Sequence, residues 1–191
     1  MGTCNDNVFL DITYDCSTDN VGGMEILAYA FYRQDLTATY DGTVKTKITD
    51  LAIPVGKKGF KILQVKNSAN AKSDLTVRTD APDRYKHTFS FKISEMTAEA
   101  IENADKLNDL VVVVERKQKN TTGNGVFQIY GLESGLWKAT SARDLMANDG
   151  TRMIEMASMD ESLEKHEVYI FLKTDYATSK AKLDALMITQ V

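Results

Sequence analysis

The chain has 191 residues, 43% apolar and 26% charged, with a net charge of −4. That length favours one domain, or one domain with arms, and it can bury enough surface to need no disulfide or metal staple. The composition excludes fibrous and low-complexity classes, and no run approaches the ~18 consecutive apolar residues of a membrane helix.

Residues 1–23 read as a polar arm that ends in Val21-Gly22-Gly23, with Val8-Phe9-Leu10 and Ile12 as its apolar anchors. Its opening, MGTCNDNVFLDITYD, has neither the basic nor the apolar region of a secretory signal. Asp6 stands where a myristoylation template wants Ser or Thr. The expectation is a cytoplasmic or particle-bound protein. Cys4 and Cys16, both in the arm, are expected as free thiols and are too few to make a zinc site.

Met24–Tyr32 is apolar on both faces and predicts a buried strand. After the Asp41-Gly42 turn, Val44, Thr46 and Ile48 alternate with Lys45, Lys47 and Thr49 as in a half-buried strand. Phe60–Val65 predicts another. Residues 66–84 read as a long basic loop with one short strand at Leu75–Arg78. Phe89, Phe91 and Ile93 then alternate with Thr88, Ser90 and Lys92. A helix follows, capped by Ser94 or Thr97, with an apolar stripe of Met96, Ala100, Ile101, Ala104 and Leu107. It should lie over the buried strand Leu110–Val114.

Thr121–Gly125 predicts a hairpin turn, with Val126–Tyr130 pairing back. Gly131–Gly135 is a second break, and Asn148-Asp149-Gly150 a further turn before the strand Thr151–Ala157. Glu167–Leu172 is the last strong strand. Thr178 or Ser179 can cap a closing helix. The expectation is mainly β with one flanking helix: about eight strands in a sandwich or partly closed barrel, plus a short C-terminal helix. Three segments follow: an arm at 1–23, a β domain at 24–175 containing the 66–84 loop, and a helical segment at 176–191.

Charge falls into blocks: −5 over residues 1–32, +6 over 33–92 and −5 over 93–191. Such blocks either balance within one chain or complement those of neighbouring copies. Reactive constellations are missing. His87 and His166 have no metal-ligand spacing and read as surface or strand-end residues. Glu164, with Glu167, reads as solvent-facing. The glycines fit no phosphate-binding loop, and no calcium loop is present. We therefore expect no enzyme, no cofactor and no metal. Lys66, Lys72, Arg78, Arg84 and Lys86 could meet phosphates, but Tyr85 alone supplies an aromatic beside them, which indicates no stacking platform. Asp11, Asp15 and Asp19 of the arm are the acidic candidates for contacts with that basic block.

The element order and the stretches LVVVV, VFQIYGLESGLW, NDGTRMIEMAS and EVYIFL resemble the tail-tube fold of tailed bacteriophages, also used by type VI secretion tubes. Within that group the chain is most similar to tail and ring structural proteins of crAss-like gut phages. The resemblance covers roughly residues 24–175; the arm and the closing helix depart from it. It implies a virion tail protein, assembled in the host cytoplasm, that forms a ring of six-fold order or a multiple. Genomic DNA would pass through the lumen without specific binding. Partners would be other copies, neighbouring tail rings and portal-associated rings, with no membrane anchor. The 66–84 segment would bridge subunits or rings, and an acidic lumen would let DNA slide. Two other classes stay open: a capsid decoration, head-fibre or head–tail connector protein, and a nucleic-acid-binding barrel.

Overall fold

The computed structural model describes residues 22–64, 68–94, 97–119, 122–146 and 150–190. Among them are eleven strands and two helices. In chain order they are β1 (Met24–Tyr32), β2 (Thr37–Tyr40), β3 (Lys47–Ala52), β4 (Phe60–Leu63), β5 (Asn70–Thr76), β6 (Arg84–Ile93), α1 (Ala98–Asp105), β7 (Leu110–Arg116), β8 (Phe127–Tyr130), β9 (Trp137–Arg143), β10 (Arg152–Ala157), β11 (Tyr169–Phe171) and α2 (Tyr176–Ala185). One sheet, sheet A, has seven strands in the order β2-β3-β11-β8-β7-β1-β4. The other, sheet B, has four, in the order β5-β6-β10-β9. Both are open, so the fold is a sandwich and not a closed barrel.

The central strands of sheet A are buried on both faces, which explains their continuous apolar sequence. Period-2 alternation sends Ala28, Ala30, Val112 and Val114 into the core shared with Phe89, Phe91, Ile154 and Met156 of sheet B. It sends Tyr29, Phe31, Val111 and Val113 into a second core, which Leu183 and Leu186 close from above. The layers therefore run sheet B, sheet A, α2.

The C-terminal helix thus packs onto sheet A through Leu183 and Leu186. Asp175 caps it, accepting the Thr178 N–H at 2.8 Å, while the Thr178 hydroxyl accepts the Asp175 N–H at 3.1 Å. This reciprocal pair satisfies two backbone donors. Past the helix, Gln190 exchanges backbone hydrogen bonds with the loop before β4: Gly56 N–H to Gln190 O at 2.8 Å, and Gln190 N–H to Lys57 O at 3.0 Å.

Helix α1 starts at Thr97, whose hydroxyl accepts the Ala100 N–H at 3.2 Å. Its expected stripe is only partly used. Ala104 and the following Leu107 enter the inter-sheet core, while Ile101 remains exposed. Met96 lies outside the described residues.

Three local expectations change. The Asp41 carboxylate accepts the N–H groups of Thr43 and Val44 at 2.9 and 3.0 Å, so an Asx turn holds that stretch out of the sheet. Val44 is exposed, and the strand starts later, at Lys47. The 66–84 segment is not a long loop, because Asn70–Thr76 pairs residue for residue with β6. Strands β2 and β9 carry no apolar alternation, being exposed edges, and gave no sequence signal.

Candidate functional site

Sheet B presents the most distinctive surface. Its inner side packs on sheet A, and α1 joins that same inner core. No described helix or strand covers its outer side. Alternation and register place Lys72, Asp74 and Thr76 of β5 on that side, with Arg84, Lys86, Thr88, Ser90 and Lys92 of β6, and Met153, Glu155 and Ala157 of β10. The face is mainly polar, with Thr88, Ser90 and Ala157 along its centre, of which Thr88 and Ala157 are buried. Its two outer strands, β5 and β9, have no second strand partner among the described residues. Each continues into exposed apolar residues: Leu75 and Val77 at the end of β5, and Leu145 and Met146 just past β9. An open edge with apolar neighbours is a template for pairing with another chain.

This face gathers three of the residues singled out from sequence. Lys72 forms an ion pair with Asp74 at 3.0 Å, and Lys86 with Asp160 at 2.6 Å. Arg84 lies opposite Thr76. Arg78 sits in the connection after β5, where its N–H donates to the Asp83 carboxylate at 3.1 Å. Lys66, Asp11, Asp15, Asp19, Cys4 and Cys16 lie outside the described residues. The basic block is partly balanced within the chain, through Arg33–Asp109 at 2.7 Å, Lys61–Asp184 at 2.9 Å and Lys86–Asp160. Exposed pairs of this kind add little stability.

Two sequence readings are overturned. His87 and Glu164, expected at the surface, are both fully buried. His87 shares the inward parity of Phe89 and Phe91, and that signal was available in the sequence. Its Nε2–H faces the carbonyl oxygens of Glu167 at 2.8 Å and His166 at 3.1 Å. Its Nδ1 accepts the Gly131 N–H at 3.1 Å. Two acceptors at Nε2 and a donor at Nδ1 fix the neutral Nε2–H tautomer. Burial pushes the imidazole below the usual histidine value, against the opposing pull of Glu164.

Glu164 accepts the N–H of Ser134 at 3.0 Å, the Ser134 hydroxyl at 2.7 Å and the N–H of Glu133 at 3.1 Å. Its own backbone pairs with Tyr85 in both directions, at 2.9 and 3.0 Å. Tyr169 donates its hydroxyl to Glu133 at 2.7 Å. Acid–base catalysis uses the same residue types, yet here each polar group is engaged by another protein group. The cluster pins the 131–135 turn and the segment before β11 to the start of β6. A second buried carboxylate, Glu115, accepts from Tyr176 at 2.7 Å, Lys119 at 3.0 Å and Lys180 at 3.1 Å, tying β7 to α2. Burial alone would raise its carboxyl, but these three donors hold it below the usual range.

Two concavities lie elsewhere. One, of about 250 Å³, runs between α1 and the ends of β6, β9 and β10, with Ile93, Ile101, Arg143 and Arg152 on its walls. The other, of about 170 Å³, opens beside Met24, Arg116, Gln128 and Tyr130. Among the described residues no group of three or more His, Cys, Asp or Glu is arranged to hold a metal ion. No described helix is long and apolar enough to cross a membrane. Comparison with protein-family models, with curated proteins and with solved structures found no match.

Proposed function

We propose that this chain is a structural protein of a phage virion, forming a ring of the tail through which genomic DNA passes. One observation carries the reading: sheet B has a mainly polar outer face that no described helix or strand covers, and two open edges that continue into exposed apolar residues. Edge-to-edge contact of β5 in one copy with β9 in the next is a heterologous contact, which closes into a ring when the rotation between copies allows it. The outer faces of sheet B then line the lumen, while sheet A and α2 form the outer layers.

On this reading the lumen is not acidic, which departs from the sequence-based expectation. The face carries Lys72, Arg84, Lys86 and Lys92 against Asp74 and Glu155. The Lys72–Asp74 and Lys86–Asp160 pairs temper that charge, so the surface offers DNA few strong phosphate contacts. Negative-stain images of the purified full chain test the proposal. Rings or stacked tubes support it. Monomers or trimers that bind capsids replace it with a capsid-decoration role.

A further inference from the structure

The His87 cluster has a property that the ring reading does not use. The Nδ1 lone pair of His87 is the acceptor for the Gly131 N–H, at 3.1 Å. Gly131 opens the 131–135 turn, which closes on itself through Gly135 N–H to Gly131 O at 3.1 Å. The same turn supplies the Glu133 and Ser134 N–H groups that hold Glu164, whose backbone pairs with Tyr85, two residues before His87. One imidazole nitrogen thus secures a unit that joins the end of β8 in sheet A to the start of β6 in sheet B.

We propose that His87 is an acid-operated latch between the two sheets. A proton arriving at Nδ1 turns the acceptor into a donor that faces the Gly131 N–H. The hydrogen bond is lost, two donors are left opposed, and the 131–135 turn is left held to β6 through Glu164 alone, a hold weak enough to open. The Nε2–H bonds to the carbonyls of residues 166 and 167 survive the change, so the segment before β11 stays attached to β6 while the turn lets go.

The groups around His87 set how the latch responds. From β8, the Tyr130 ring meets it edge-on at 5.2 Å between centroids. The 131–135 turn brings the Glu133 carboxylate, and the segment before β11 brings that of Glu164; both favour protonation, and burial opposes it more strongly. Ser158 accepts the His87 backbone N–H at 3.3 Å. The folded imidazole therefore binds a proton less readily than an unfolded one. The latch contribution is complete above the ordinary histidine value of 6.5 and is lost as pH falls from there through the lower folded value.

The test uses the full chain and two NMR readouts between pH 8 and pH 4. Imidazole nitrogen shifts report the tautomer, with His166→Gln separating the two histidines. Amide exchange, corrected for its intrinsic pH dependence, reports the turn. We expect His87 to be more than half neutral, and Nε2-protonated in that form, at pH 6.5. As it protonates, exchange at Gly131, Glu133 and Ser134 should quicken about tenfold or more, the effect of losing one buried hydrogen bond, while Val112 and Val113 stay protected. In His87→Gln that pH-linked step should vanish. If His87→Gln does not fold, the wild-type titration alone decides. Protonation of His87 without any change at those three amides overturns the latch, as does an identical pH-linked step in the glutamine variant.

Discussion

Leu183→Ala tests whether the C-terminal helix is built into the domain. Leu183 is 0% exposed and sits in the second core with Tyr29, Phe127, Val113 and Leu186. Removing three carbons forfeits about 2.4 kcal/mol of transfer free energy, at ~0.8 kcal/mol each. A cavity term adds to this, because the floor beneath is a sheet buried on both faces and the walls are rings that cannot collapse inward. The Phe127 and Tyr176 rings stack at 5.5 Å with 10° between planes, which stiffens one wall. The expected loss is about 3–4 kcal/mol, within the usual range for buried Leu→Ala changes. For a domain of this size that lowers the melting temperature by about 6–15 °C. Urea unfolding should show a lower midpoint with an unchanged slope. A loss below about 1 kcal/mol refutes the reasoning. So does a chain ending at residue 174 that unfolds at the full-length midpoint.

Other outcomes follow from the same packing. Gly123 has a φ of +76°, and a Cβ there would stand 2.6 Å from the Tyr176 nitrogen, so Gly123→Ala should cost about 2–4 kcal/mol and loosen the start of α2, read by amide exchange. Glu115→Gln should cost about 2 kcal/mol in urea unfolding, since Lys119 and Lys180 lose their buried counter-charge. Because the Glu115 carboxyl is held low when folded, its contribution is complete above the unfolded value near 4.5 and is lost as pH falls through the folded value; the glutamine variant should lack that acid slope. Leu75→Lys places a charge on the exposed β5 edge, so light scattering should show loss of assembly at an unchanged melting temperature.

The strands that were legible in the sequence are those that packing makes apolar. Ala28–Phe31 and Leu110–Val114 sit between two cores, so every residue along them is selected for burial. Phe89 and Phe91 alternated because only one side of β6 faces the inter-sheet core. Strands β2 and β9 left no pattern because exposed edge positions accept almost any polar residue. The Val44 region misled for a different reason: a real alternation was overridden by the Asp41 side chain, which captured two backbone donors. Residues 70–74 read as loop because Lys72 and Asp74 face outward while Ala71 and Ser73, too small to announce a core, face inward. For His87 the inward parity of β6 was legible but residue type outweighed it; Glu164 had no such signal, since the groups that satisfy it come from the distant 131–135 turn.

The mass of the purified full chain across a broad concentration range tests the central claim most directly. A ring built through the β5 and β9 edges predicts a discrete species of six subunits or a multiple of six, as the tail-tube resemblance implies, and a return to monomer in the Leu75→Lys variant. A monomer at every concentration, or an assembly that the edge substitution leaves intact, contradicts it.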